Sequence, residues 1–574
     1  MNVVEHVKIN MRKASETWMQ GWMMQKQSSI LSAAGVIGLS VAGSSITGLM
    51  SNRILTSHFY DATSLTQPIL DSYWVAFQPS DMMFQLLVAG AMSASFIPVF
   101  SQIKKSNARE AFAVANTVLN GVLLIFALAS LALFIFAPSV LSFITGSAFQ
   151  SYQIELSSSL LRVLIFAQIF FVFSNFFSGM LQSYQRFVIP AFSPILYNCG
   201  IIFGTLFFSQ SLGIFAPAIG AVIGAFLHMI VQIPLLRRLG YRYECTLHFR
   251  HQGAKKILQL AIPRAFSTGV DLLFPAVLTF FITSMQGANL TLMKFAQKLM
   301  IIPIRLFGVP IGQASLPFLA DQSDDRDRGR FNTLVLQSLR QVLYLALPAS
   351  ALLLILRIPI VRFAYGAKNF PWGDTVLGGK IVLILALSIA FQSCTHVLTR
   401  AFFALHDTKR PFYISLATLV IGVFAGWYVS LQLQWGLLGI ALIISGSGMI
   451  ETIALFVMLI LRTQMIRSQL FPFFAETGKM LIATLLMGFG LYSALKLLDI
   501  VVIDTTKTLG LITLTVCVTA VGMIVYLFMT WLMKIEELRY VTAVFEKTGL
   551  WKPLLRKQGV TKSMESIGEG IQEV

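Results

Sequence analysis

The sequence predicts an all-α polytopic membrane protein, with about fourteen transmembrane helices in two pseudo-symmetric six-helix lobes plus two C-terminal helices. Composition, apolar spacing and an internal repeat carry that prediction. Of the 574 residues, 56% are hydrophobic and 12% charged, and the mean hydropathy is +0.75. A soluble chain carries about twice that charge fraction. Apolar windows of about twenty residues, long enough to cross a bilayer, recur fourteen times along the chain. The stretch GMLQSYQRFVIPAFS (179–193) resembles RAFFALHDTKRPFYIS (400–415), setting Arg186 against Arg410 at an offset of 224. LGIFAPAIG (212–220) resembles LGIALIISG (438–446), and ASFIPVFSQ (94–102) resembles ASLPFLADQ (314–322). Offsets of 220 to 226 divide the chain into two similar halves. Both copies begin on the same side of the membrane, so the repeat is parallel, as in transporters whose halves rock about a central site.

In chain order, residues 1–28 read as a basic interfacial segment, with Trp18, Met19, Trp22 and Met23 among Lys8, Arg12, Lys13 and Lys26. They lack the short apolar core and small-residue site of a cleavable signal. The first lobe, 29–236, takes spans near 29–51, 70–100, 112–137, 159–181, 187–209 and 214–236. The second, 257–462, takes 257–284, 289–320, 339–361, 380–403, 411–431 and 436–461. Two further spans near 477–498 and 508–533 (domain 477–533) precede a cytoplasmic tail, 534–574. The second and eighth spans are long enough to tilt or kink. Pro263 and Pro275 on the seventh, and Pro303 and Pro310 on the eighth, predict local distortions that free backbone carbonyls.

The net charge of +18 would suit nucleic acid, but its distribution points to topology. With the N-terminus inside, the inner loops and tails carry 31 Lys and Arg, and the outer loops carry five: Arg53, Arg362, Lys368, Lys380 and Lys507. That asymmetry predicts both termini in the cytoplasm, and attraction to anionic membrane lipids accounts for the rest. Cys199, Cys245, Cys394 and Cys517 are scattered, which predicts neither a disulfide framework nor a metal site. No Walker loop, dinucleotide turn or nucleophile elbow is present. The reading is therefore a non-enzyme, without catalytic residues or cofactor.

Of the remaining cations, Arg162, Arg357 and Lys496 lie close enough to span ends to snorkel. Arg264, Lys294, Lys298 and Arg305 do not, and all four fall on the seventh and eighth spans. A cation at bilayer depth costs a few kcal/mol and normally faces a polar cavity or a partner. On a helix Lys294, Lys298 and Arg305 point within about 40° of one another, a stripe suited to lining a chamber for an anion. Arg264 and Asp271 share a face of the seventh span, about 10 Å apart along its axis. Glu451 lies near the middle of the twelfth, after the flexible SGSGM (445–449). Four deep cations against two deep acids leave an excess of two positive charges, which packing alone does not explain. Asp271 and Glu451 are candidates for a coupling Na⁺ or proton. His228, His396 and Gln392 also lie in spans, where a lone histidine is more often a hydrogen-bonded core residue.

Three stretches carry a family resemblance: GMLQSYQRFVIPAFSPILYNCGIIFG (179–204), FAQKLMIIPIRLFGVPIGQASLPFLA (295–320) and, more faintly, DSYWVAFQPSDMMFQLLVAGAMSASFIPVF (71–100). Across roughly 29–535 the chain resembles the MurJ (MviN) lipid II flippases of the multidrug/oligosaccharidyl-lipid/polysaccharide exporter superfamily. The resemblance implies movement of the lipid-linked peptidoglycan precursor, an undecaprenyl-pyrophosphate-linked saccharide, between leaflets of the bacterial cytoplasmic membrane. It implies a V-shaped chamber whose opening alternates, in which basic side chains hold the pyrophosphate and sugar. It puts Lys298 at the family's eighth-span basic position and Asp71 at its second-span acid, and it suggests a cation site among the seventh, eleventh and twelfth spans. Where the family carries an arginine pair and Glu-Gly-Ala in the second span, this chain has Phe84, Gln85, Ala89, Gly90 and Ala91. The first-span arginines have only a shifted counterpart, Arg53. Expected substrate-binding residues are thus Arg264, Lys294, Lys298, Arg305, Arg53 and Asp71. The alternatives are a flippase for another polyprenyl-linked saccharide, or a non-transporting scaffold among cell-wall assembly proteins.

Overall fold

The computed structural model describes residues 30–60, 69–89, 95–248, 251–285, 289–322, 328–366, 370–501 and 508–539. Within these ranges the side chains of 30–37, 89, 262–268, 270–271, 431, 499–501 and 508–509 lie outside the description. The expected interfacial segment 1–28 and most of the tail 534–574 also lie outside the described residues.

The described residues form helices and no strand. The first lobe comprises α1 (Ile30–Phe59), α2 (Ile69–Phe84), α3 (Ile97–Ser106), α4 (Ala108–Ile135), α5 (Ala137–Ile144), α6 (Ser151–Ser183), α7 (Val188–Leu212), α8 (Phe215–Ile230) and α9 (Ile233–Arg238). The second comprises α10 (Gln252–Ser284), α11 (Leu290–Pro303), α12 (Val309–Asp321), α13 (Arg328–Ile355), α14 (Arg357–Tyr365), α15 (Trp372–Ala386), α16 (Ile389–Ala404), α17 (Lys409–Trp427) and α18 (Gly436–Thr463). Helices α19 (Arg467–Val501) and α20 (Thr508–Leu532) form a pair against α13.

Among the described residues ten helices are long and apolar enough to cross a membrane, and the pair α15–α16, bent by 40°, makes an eleventh. The other three expected spans coincide with α1, with α2 and its continuation, and with α10, each of which includes residues outside the description. The chain is a multi-pass membrane protein. The tenth span begins earlier than hydropathy suggested: Lys380, expected in an outer loop, is an exposed residue within α15. Gly378 and Gly379 lower the apolar signal there, yet they pack closely, a Cβ on Gly379 coming within 2.5 Å of Ile358.

The long second and eighth spans are distorted, the second as its length predicts and the eighth as its length and prolines predict, whereas the seventh, despite Pro263 and Pro275, runs as one unbroken helix, Gln252–Ser284. The second and eighth each contain a π-helical turn, Gln85–Ala89 after α2 and Ile304–Gly308 between α11 and α12. Pro310 lacks an N–H and crowds the carbonyl one turn back, which favours a widened turn just before it. The two turns lie 219 residues apart.

The repeat is visible in the backbone at four further places. Phe136 and Leu356 hold matching breaks, at φ −92°, ψ 17° and φ −86°, ψ 15°. Left-handed residues end corresponding helices at Gln185 and His406, Gly213 and Gln434, and Gly240 and Gln464. At the first pair the closing bonds match as well, Arg186 N to Leu181 O at 2.9 Å and Asp407 N to Phe402 O at 3.0 Å. These bonds set Arg186 against Asp407 and correct the alignment with Arg410 by three residues.

Glycine brings helices together where lipid offers no hydrophobic drive. Gly200 and Gly204 of α7 face Gly220 and Gly224 of α8, and a Cβ on Gly200 would lie 2.3 Å from Gly224 Cα. The lobes share one apolar core at one end of the molecule, where Leu55, Tyr60, Leu70 and Tyr73 pack with Leu290, Phe295, Tyr365 and Phe370. At the other end the cores are separate, one around Phe96, Phe100, Phe176 and Phe177 and one around Phe331, Leu339, Phe402 and Leu455. Among the described residues the first turns of α10, at Ala254 and Ile257, lean across, and further along the same helix Gly269 lies beside Leu86. The result is two lobes splayed from a common closed end.

Candidate functional site

The stripe on the eighth span lies along the inner wall of this V. Lys294 and Lys298 are half-buried and Arg305 is exposed; along the 32-residue span Leu290–Asp321 they run from about one turn inside its start, at Lys294, to its middle, at Arg305. Lys298 reaches across to the first lobe. Its ammonium donates to Asn52 Oδ1 on α1 at 2.9 Å and lies 4.0 Å from the ring centroid of Trp74 on α2. The buried indole Nε1 of Trp74 finds no acceptor among the described residues, leaving a donor unused in this wall. Arg305 lies inside the π-helical turn, so its direction is set by the distortion as well as by helical spacing.

A residue missing from the sequence-based list stands opposite. Asp81 on α2 is exposed, accepts a 2.6 Å bond from Gln85 Nε2, and feels the charges of Lys294 and Arg305. Among the described residues neither cation makes a direct ion pair with it. The inferred excess of two positive charges was therefore an overcount: Asp81 is a third deep acid, and the excess falls to one. The argument from cost that singled out the lysines applies equally to a carboxylate in the second span and would have found it. Asn52 and Trp74, being neutral, gave no such signal.

Asp71 lies elsewhere, 1% exposed. Its carboxylate accepts from Leu290 N at 3.1 Å, Thr291 N at 2.7 Å and Thr291 Oγ1 at 2.6 Å. It thus caps α11 from the other lobe, where the helix dipole favours a negative charge. Asn289 caps the same helix through Leu292 N at 2.9 Å and donates to Tyr60 Oη at 2.7 Å, which donates to Asp374 Oδ2 at 2.6 Å. Arg53 also belongs to the closed end: it donates to the Phe363 carbonyl and lies over the Phe363 ring. The structure does not bring Arg53 or Asp71 to the lysine stripe.

The side chains of Arg264 and Asp271 lie outside the described residues, although both are on α10. Glu451 on α18 is half-buried and accepts from Ser415 Oγ of α17 at 2.6 Å. Helices α10, α17 and α18 meet at Gly422, where a Cβ would come within 2.6 Å of Phe274 and 3.1 Å of Ser447. These are one turn from Asp271 and Glu451 respectively. His228 is a core residue, 2.5 Å from Ser174 Oγ, which also accepts from Gln232 Nε2 at 2.6 Å. A cavity of about 440 Å³ lies beside the next face of α2, lined by Pro79, Met82, Met83, Leu133 and Phe136 among others. Its lining is apolar and offers nothing to a charged head group.

The model of the family described as "Lipid II flippase MurJ" matches residues 65–509. The probable lipid II flippase MurJ of Thermotoga maritima is 27% identical over 504 residues, covering 87% of this chain and 95% of that protein. The lipid II flippase MurJ of Burkholderia cenocepacia is 25% identical over 396 residues, covering 67% and 76%. Among solved structures, a lipid II flippase MurJ in an inward closed conformation superposes with a TM-score of 0.69 at 23% identity, covering 88% of this chain and 99% of that one. An inward-facing multidrug resistance MATE family transporter of the MOP superfamily gives 0.59 at 13% identity, covering 77% and 96%. The two-lobed fold is thus common to both, and by the family model that spans most of its length this chain belongs to the lipid II flippase MurJ family.

Proposed function

We propose that this chain is a flippase that carries lipid II from the inner to the outer leaflet of the bacterial cytoplasmic membrane by alternating access, with both termini cytoplasmic. The observation that carries the reading is the row of Lys294, Lys298 and Arg305 on the inner wall of a V-shaped membrane protein, offset only in part by the carboxylate of Asp81. The pyrophosphate of an undecaprenyl-linked saccharide supplies the missing negative charge on entry and removes it on release. Translocation makes and breaks no covalent bond; the cations hold the head group, and the lobes exchange the open end. Arg264, carried by α10, is a further cation assigned to the same head group. Asp271 and Glu451 bind a coupling Na⁺ or proton where α10, α17 and α18 meet.

Complementation tests this. Cells depleted of their own lipid II flippase survive on this protein, and Lys298→Ala together with Arg305→Ala abolishes rescue at unchanged membrane abundance. Rescue that persists after removal of all four deep cations rejects the chamber. Failure of the well-expressed intact protein to rescue shifts the substrate to another polyprenyl-linked saccharide or leaves a scaffold.

A further inference from the structure

We propose that Asn52 and Trp74 form a first-lobe resting place for the Lys298 ammonium, and that substrate binds by displacing them. The inference rests on the chamber reading above. Lys294 and Arg305 have a carboxylate facing them in Asp81. Lys298 has none within ion-pair distance among the described residues; its partners are an amide oxygen at 2.9 Å and an indole face at 4.0 Å. Both partners are neutral, and both belong to the opposite lobe. Asn52 is 6% exposed and lies within α1, so its amide is held in place by packing.

A phosphate oxygen outcompetes such partners, because charge-assisted hydrogen bonds are about twice as strong as neutral ones. Cation–π contacts are weaker still where water reaches them. One event therefore does two things: the anion gains an ammonium, and the lobes lose a bridge. Part of the intrinsic affinity is used to break the bridge, so an occupied chamber is freer to rearrange than an empty one. Asn52 and Trp74 thus give the first lobe a role as competitor for Lys298.

The test is the affinity of the full-length protein for purified lipid II in nanodiscs. Asn52→Leu removes the competing oxygen and tightens binding about threefold to tenfold while slowing rescue or transport. Asn52→Asp gives Lys298 a permanent counter-charge and weakens binding by a similar factor. Trp74→Leu tightens binding, and it carries the test with Asn52→Asp where Asn52→Leu does not fold. In a Lys298→Ala background, Asn52→Leu has no further effect, the non-additivity expected of one shared contact. Weaker binding in Asn52→Leu makes Asn52 a direct substrate ligand and overturns the proposal, as does unchanged binding across the Asn52 variants. Both results leave the chamber reading intact as long as Lys298→Ala itself weakens binding. If Lys298→Ala binds as wild type does, the chamber reading fails and the displacement with it.

Discussion

Asp71 and Asp81, ten residues apart on one helix, do opposite work. Asp71 is fully bonded to the N-terminus of α11, so Asp71→Asn leaves backbone donors with a poorer acceptor. The expected loss is about 1–3 kcal/mol, read as a lower unfolding temperature of the purified protein. Asp81 is open and faces cations, so Asp81→Asn tightens lipid II binding severalfold, an effect that fades as ionic strength rises. Equal affinity for wild type and variant across a salt series would sink that assignment. The lysine stripe was legible in the sequence because a buried cation is costly wherever it sits. Asn52 was not, because a neutral amide in a span costs little and commonly bonds its own helix. Arg53 differs for a related reason: a cation near a span end has somewhere else to go, here the Phe363 carbonyl.

At the level of elements, hydropathy located the spans because lipid leaves the backbone few options besides a helix. It could not locate their distortions. The bend between α15 and α16 falls at Leu387 and Ser388, neither of which signals a break. The repeat was audible in short motifs, yet its register needed the left-handed helix ends, since apolar residues align equally well three positions away. Helices α7 and α8 depend on their glycines. Gly224→Val puts a side chain where Tyr197 O would be 2.4 Å from its Cβ, and should abolish stable expression or lower the unfolding temperature by many degrees. Gly488→Ala, with nothing within 4 Å of the added Cβ, should be neutral or slightly stabilising. Beyond α20, Glu537 is buried and pairs with Arg340 at 3.0 Å. Burial raises its carboxyl above the ordinary range; Arg340 opposes this, and the nearby Glu536 and Glu476 reinforce it. A carboxyl raised in the folded state favours folding when protonated, so this contribution is full below the ordinary carboxyl pKa and is lost as pH rises through the raised value. Thermal unfolding across that window should therefore decline in the wild type and stay flatter in Glu537→Gln.

The whole molecule is closed at one end by contacts between lobes, and no pattern within a single span announces them. Gln78 Oε1 accepts from Thr279 Oγ1 at 2.7 Å, and Gly146 N donates to Thr283 Oγ1 at 2.8 Å. Closure is a relation between distant segments, each of which would look equally sound with the other end shut. If the lobes must part here, a Gln78→Cys/Thr279→Cys pair in an otherwise cysteine-free protein should abolish rescue under oxidation and restore it on reduction. Continued growth with the disulfide formed would mean that this seam stays shut throughout the cycle. The matched π-helical turns at Gln85–Ala89 and Ile304–Gly308 bear on how such a change is made. Each holds a spare residue, and passing it one step along the helix would swing only the side chain it passes, by about 100°, and shift it by about 1.5 Å. Arg305 rides inside one of these slack points, so its guanidinium can be re-aimed like a hand on a swivelling wrist while the rest of the helix keeps its seat.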